Sequence, residues 1–302
     1  MNFTLNNHLR YTIGDRMYGF RENHLEKFSV SLGKIDNDLY RKSSFHNELC
    51  RTADIVYKEL GKDLVVFLSG GTDSEIVVRN FLEIGIKPNC VTVRFNNGYN
   101  EQDVQESINI ARELDVRLDI IDFYIKDFYF SGAAADLGQQ VQCTQLAYLM
   151  VYHNIIKLSM PAVMGGEVVL TKRVEPNNVY WYYTFYEDED ASAMRFSNMY
   201  NIPLVNEWFT YTPELLLYYL EDSAIRELVS QPNYKITSVS SKNAILQRLY
   251  PQVRPKVKTH GFEKLLGFNA LADKELPRRQ IMRLEDSLDG IPYNDLITSL
   301  KG

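Results

Sequence analysis

Leu64-Val65-Val66-Phe67-Leu68 is an unbroken apolar run, and Ser69-Gly70-Gly71-Thr72-Asp73-Ser74 follows it directly. A strand with one wet face alternates apolar and polar residues, so this run predicts a strand buried on both faces of a parallel sheet. Beyond the glycines, Val77, Phe81 and Ile84 recur at helical spacing until Gly85 and Pro88 end the pattern. The same alternation repeats. Residues 90–95 read as a second strand and 101–114 as a helix with Val104, Ile108 and Ala111 on one face. Residues 117–123 read as a third strand, 142–158 as a third helix, and 161–164 as a fourth strand before Gly165-Gly166. This β-then-α succession predicts an α/β fold with a doubly wound parallel sheet. Ligands of such sheets bind beyond the carboxyl ends of the strands. Residues 69–74, 95–100 and 165–167 all fall there.

The flanking segments divide the chain into three parts. Residues 1–44 carry short alternations (Phe3, Leu5; Tyr11, Ile13) and turn residues, which predicts a small strand-containing N-terminal extension. Residues 45–174 hold the sheet. They open with a helix in which Leu49, Ala53, Val56 and Leu60 recur, with Ser44 as N-cap and Gly61 as stop. Residues 175–302 form a largely helical C-terminal part on the substrate side. It contains the aromatic block 180–186, the acidic run 187–190, and helical patterns at 213–230 and 241–249.

The loop chemistry follows from its residue types. Gly70 and Gly71 let the backbone approach a phosphate without a Cβ in the way. Successive N–H groups then make a concave nest, to which the next helix adds its positive end. The Ser69 and Ser74 hydroxyls can donate to phosphate oxygens. Asp73 would repel a phosphate directly, and it makes sense as a ligand for Mg2+ bridging to the phosphates. The bland alternative is a Gly-Gly turn with an Asp or Ser cap. The six-residue loop lacks the Gly-Lys-Ser/Thr ending of a Walker loop and the Gly-x-Gly-x-x-Gly of a dinucleotide fold.

Phe67 to Ser74 resembles the Ser-Gly-Gly-x-Asp-Ser loop of the PP-loop, or N-type, ATP pyrophosphatases, a superfamily with a HUP-type, adenine nucleotide α-hydrolase-like fold. The resemblance implies ATP and Mg2+ as cofactors, with adenylation of a substrate oxygen and release of pyrophosphate. Ser69, Gly70, Gly71, Asp73 and Ser74 match residue by residue, with Thr72 at the variable position. The order of later features is most similar to the synthetase domain of asparagine synthetases. Arg94 and Phe95 stand where that family leads from its adenosine-contacting strand into an acidic helix start at Tyr99-Asn100-Glu101. Gly165-Gly166-Glu167 stands where it has a glycine loop with acidic residues facing pyrophosphate and magnesium, although Val168-Val169 departs from the pattern. Glu167 is then a metal ligand or a carboxylate that complements a helix dipole. Arg254, Lys256, Lys258 and Gly261-Phe262 resemble the family's late basic loop, in which a lysine stabilises the transferring phosphate. Lys256, Lys258 and Lys242 remain alternatives for that role.

The glutamine-using members carry an amidotransferase domain with a first cysteine, and Met1-Asn2 offers none. The expected nucleophile is ammonia, an amine, or ammonia from a separate glutaminase, acting on a small-molecule acceptor. Nucleic-acid modification is the second reading, supported by the basic residues Lys235, Lys242, Arg248, Arg254, Lys256 and Lys258. A regulator that binds nucleotide without turnover is the third. A net charge of −6 provides no global field for nucleic acid. No apolar run approaches the roughly 18 residues of a membrane span, so a cytoplasmic protein is expected. Cys50, Cys90 and Cys143 form no Cys-x-x-Cys pair, and Cys90 and Cys143 are read as packing residues. The five histidines show no metal-ligand spacing, and His153 is read as a core residue.

Overall fold

The computed structural model describes residues 8–20, 22, 26–166, 170–175, 178–183, 191–230, 245–253, 261–264 and 291–302. Leu9, Tyr11 and Ile13 turn inward from β1 (Leu9–Ile13), which pairs antiparallel with β2 (Arg16–Met17) and β3 (Phe28–Leu32). The strand-containing start read from the sequence is therefore a three-stranded sheet. Asp36 caps α1 (Asn37–Lys42) through the Asp38 and Leu39 N–H groups. α2 (Phe45–Leu60) begins at Ser44, whose hydroxyl accepts from the Asn47 N–H, and ends at Gly61 with φ +80°.

The predicted alternation then appears in order: β4 (Val65–Phe67), α3 (Thr72–Glu83), β5 (Asn89–Phe95), α4 (Glu101–Glu113) and β6 (Leu118–Phe123). After α5 (Ile125–Phe130) and α6 (Ala133–Val141) come α7 (Leu146–Leu158) and β7 (Ala162–Val163). The third predicted helix starts at Leu146 rather than at residue 142. Gln142 takes a left-handed φ of 51° and closes α6, an element the hydrophobic spacing did not separate.

β8 (Leu170–Glu175) and β9 (Asn178–Tyr183) pair antiparallel, so the first part of the aromatic block is a strand. Residues 184–190 lie outside the described residues. α8 (Ser192–Tyr200) leads to β10 (Leu204–Val205). The helical pattern at 213–230 breaks into α9 (Pro213–Glu221) and α10 (Ser223–Ser230), because Asp222 is extended at ψ 139°. The chain is helical again at 245–249, and β11 (Ile291–Pro292) and α11 (Tyr293–Lys301) follow.

The central sheet runs β10-β7-β4-β5-β6, parallel throughout, with β4 in the middle. The fold is thus the doubly wound parallel sheet that the sequence predicts, with β10 as an unforeseen fifth strand. Alternate strand residues supply opposite cores, as the pleat requires. Val66, Leu68, Cys90, Val163 and Val205 pack with α2, α3 and α9, while Val65, Phe67, Val91, Val93 and Leu204 pack with α5 to α8. Cys90 and Cys143 are fully buried within these two layers, and burial pushes the Cys90 thiol up to about 12. His153 is half-buried, with its ring 4.7 Å from Phe128. No described helix is long and apolar enough to cross a membrane.

One buried polar chain ties α3 to later segments within a single layer. The Trp208 indole N–H donates to Asn80 Oδ1 at 2.9 Å, and Asn80 Nδ2 donates to the Tyr250 hydroxyl. Asn80→Leu leaves the indole N–H unsatisfied in the core. The expected loss is about 2 kcal/mol or more of stability, measured by urea unfolding. At the N-terminal sheet, His8 Nε2 donates to the Thr210 carbonyl at 2.8 Å, and burial outweighs that bond to lower the imidazole to about 4. The folded value lies below the ordinary 6.5. The unfolded chain therefore binds the extra proton between those values, so stability is full above pH 6.5 and declines as pH falls toward 4. His8→Asn should flatten that decline in urea midpoints measured across the window.

Candidate functional site

At the carboxyl end of β4 the chain must leave a strand buried on both faces and enter α3 within a few residues. Gly70 makes this possible at φ +74°. A Cβ there would strike the Asp103 carbonyl oxygen, so the first turn of α4 lies directly on the loop. Gly71 is the N-cap of α3 and, being glycine, contributes no side-chain cap. From the far side comes the glycine turn after β7. A Cβ on Gly165 would lie 2.9 Å from Asp73 Cβ and 3.1 Å from the Ser74 nitrogen.

The serines divide their work. Ser74 is buried; its hydroxyl accepts from the Ser69 N–H at 3.1 Å and donates to the Gly71 carbonyl at 3.0 Å. Ser74 therefore braces the loop from within, which differs from the phosphate-donor role expected of it. Ser69 Oγ lies 3.3 Å from Ser74 Oγ. Behind the loop, the Ser107 hydroxyl lies 2.8 Å from the Leu68 carbonyl and 3.0 Å from the Asp103 carbonyl. This ties the end of β4 to α4. Asn100 holds the end of β5 in the same way, accepting from the Phe95 N–H at 2.9 Å and donating to the Val93 carbonyl at 2.8 Å.

These elements enclose a cavity of about 510 Å³, within the roughly 300–1,000 Å³ usual for small-molecule sites. Its polar end is made by residues 69 and 71–74 with Asp103, and its apolar end by Val91, Val93, Phe95, Met150, Val151 and Phe262. Of the residues singled out in the sequence, Ser69, Gly71, Thr72, Asp73, Ser74, Phe95 and Gly165 line it. Gly70 lies against Asp103, and Gly166 against Asn206 and Glu207. Arg94 is turned away, and its Nε donates to Asp122 Oδ1 at 2.7 Å on the neighbouring strand. Glu167, Lys256 and Lys258 lie outside the described residues, as do Lys235, Lys242 and Arg254. Arg248, from the same basic group, is bound to Asp222.

Asp103 was not singled out from the sequence. Its signal was the acidic first turn after Asn100, which the fold brings to the cavity wall. Carboxylate oxygens from Asp73 and Asp103 are the hard donors that suit Mg2+. Phe262 was also missed; its ring packs 5.3 Å from Phe95, and Gly261 at φ +81° lies against Tyr99 and Asn100. Lys264 Nζ donates to the Tyr99 carbonyl at 2.6 Å, fastening this late segment beside the cavity.

Compared by sequence, the chain matches no protein-family profile and no curated protein. Among solved structures it is similar to a predicted subunit of tRNA methyltransferase from Methanocaldococcus jannaschii, at 15% identity and a TM-score of 0.33, over 63% of this chain and 87% of that one. NMN synthetase from Francisella tularensis aligns at 12% identity and a TM-score of 0.32, over 72% and 97%. A glutamine-dependent NAD+ synthetase from Acinetobacter baumannii, in complex with ADP, aligns at 16% identity and a TM-score of 0.30, over 46% and 28%. At such scores the reading of the site rests on its own residues.

Gly165→Ala tests the close approach of the two loops. The added methyl must displace Asp73 or its backbone, at a cost of about 1–3 kcal/mol. A lower urea midpoint for the variant is the expected result.

Proposed function

We propose that the chain is an adenylating enzyme of the PP-loop ATP pyrophosphatase class, and that its cavity takes ATP. The carrying observation is the Ser69–Ser74 loop at the carboxyl end of the central strand, with a glycine-capped helix start at a cavity that is polar at one end and apolar at the other. Phosphates suit the first end, where backbone N–H groups and the helix dipole favour anions. The adenine suits the second, against Phe95, Met150, Val151 and Phe262.

In this reading a substrate oxygen attacks the α-phosphate, and the bond to the β-phosphate breaks. The departing pyrophosphate is received by the N–H groups of residues 70–74, with Ser69 beside them. Mg2+, held by Asp73 and Asp103 with Glu167 as a further donor, would neutralise phosphate charge. Lys256 or Lys258, upstream of the Gly261 turn in the sequence, is proposed to stabilise the transferring phosphate. Arg94, held by Asp122, keeps at most an indirect place through its neighbour Phe95.

The finer proposal is carbon–nitrogen ligation of the asparagine-synthetase type. An amine or ammonia displaces AMP from the adenylated small-molecule acceptor, and positioning with charge neutralisation carries most of the catalysis. Its support is the order of motifs: loop, acidic helix start, second glycine turn, and late basic stretch ending at the docked Gly261-Phe262. The division into an N-terminal extension, a nucleotide-binding part over 45–174 and a substrate-side remainder belongs to the same proposal.

The deciding experiment incubates the protein with ATP and pools of amino acids, nucleosides and tRNA, reading AMP and pyrophosphate by mass spectrometry. AMP formation with the amino-acid pool supports ligation, and formation with tRNA moves the reading to nucleic-acid modification. ATP left intact by every pool, or ADP as the product, overturns adenylation. Asp73→Asn is expected to lower pyrophosphate release roughly 100-fold or more.

A further inference from the structure

Away from the nucleotide cavity, three side chains of different chemistry meet on the opposite end of α3. His46 and Cys50 stand four residues apart on α2 and therefore share one face of the helix. Glu83 is the last residue of α3. His46 Nε2 is 2.9 Å from Glu83 Oε2, and Cys50 Sγ is 3.0 Å from the same oxygen. All three donor atoms lie within 4.8 Å of one another. Glu83 Oε2 is thus the common neighbour of an imidazole nitrogen and a sulfur.

We propose that His46, Cys50 and Glu83 form a binding site for a single zinc ion. Nitrogen, sulfur and carboxylate oxygen are the donors zinc takes, at about 2.0–2.3 Å. Tetrahedral placement at those lengths separates the donors by roughly 3.3–3.7 Å, so the two spacings to Glu83, 2.9 and 3.0 Å, need to open by about half an ångström. A thiolate disfavours Mg2+ and Ca2+, and the mixed set suits a borderline-soft ion. The side chains of His46 and Glu83 are 41% and 32% exposed, which gives the ion a path from solvent. Three protein ligands leave the fourth position to water.

The site is separate from the adenylation chemistry. Glu83 stands eleven residues along α3 from Thr72, a rise of about 16 Å. Zinc here joins α2 to the far end of the helix whose start forms the phosphate loop. The Tyr250 ring lies 5.7 Å from the His46 ring and belongs to the Asn80–Trp208 hydrogen-bond chain. The ion would therefore stiffen a junction of α2, α3 and the later chain. Sequence spacing could not show this group, because Glu83 is separated by 33 residues from Cys50.

The test strips the full-length protein with a chelator and titrates Co2+ as an optical probe, followed by competition with Zn2+. One equivalent should produce a thiolate-to-cobalt charge-transfer band that Zn2+ removes. Cys90 and Cys143 are buried in the two cores, so Cys50→Ser should abolish the band. His46→Gln and Glu83→Gln should each weaken cobalt affinity about 10-fold or more. Zinc should raise the melting temperature of the wild-type chain but not of these variants. Absence of the band, its survival in Cys50→Ser, or unchanged affinity in both His46→Gln and Glu83→Gln overturns the proposal. Should Cys50→Ser fail the circular-dichroism check for folding, the two glutamine variants decide the matter.

Discussion

Close backbone approach at the end of β4 is the constraint from which the rest of the site follows. A strand sandwiched between two cores cannot wander at its carboxyl end; its next residues must turn into α3 at once, in contact with whatever flanks them. On one side the flank is the carbonyl of Asp103, met by Gly70, and on the other Gly165, met by Asp73. Side chains at either glycine would push the loop off its neighbours and spoil the alignment of its N–H groups. Both glycines act as spacers of zero width.

Polar groups buried behind the loop convert that contact into a defined shape. Ser74 closes the loop on itself, Ser107 joins it to α4, and Asn100 holds the end of β5. Each bonds buried backbone groups at the loop or at the end of β5, where a polar group left without a partner would cost about 1–3 kcal/mol. The helix starts of α3 and α4 consequently converge on one cavity with their acidic first turns. Preorganisation of this kind leaves little rearrangement for a ligand to cause. The zinc site proposed between α2 and α3 would act on the same helix from its other end.

The sheet was readable because burial on both faces leaves a compositional trace. Residues 64–68 contain no polar residue, and the helices beside them repeat at three and four. β10 escaped notice because two residues, Leu204 and Val205, carry no periodicity. α6 merged with α7 for a different reason: its boundary is the left-handed turn at Gln142, made by a residue type that does not announce a stop. In the site, the glycine loop stood out by itself. Asp103 and Phe262 did not, since an acidic first turn and a lone aromatic are ordinary features of any chain.

The amino-acid order alone settled the local chemistry: a buried strand, two glycines, and hydroxyl and carboxylate groups at a helix start, all within consecutive residues whose geometry is covalently limited. Folding decided the assembly of partners distant along the chain. It turned Arg94 toward Asp122 while leaving Phe95 on the cavity wall, spent the Ser74 hydroxyl on the loop, and brought Phe262 against β5 and Glu83 against His46 and Cys50. The physical reason is the difference in range. Backbone conformation answers to neighbours within a few residues, whereas the direction and partner of a side chain depend on which surfaces the two cores press together.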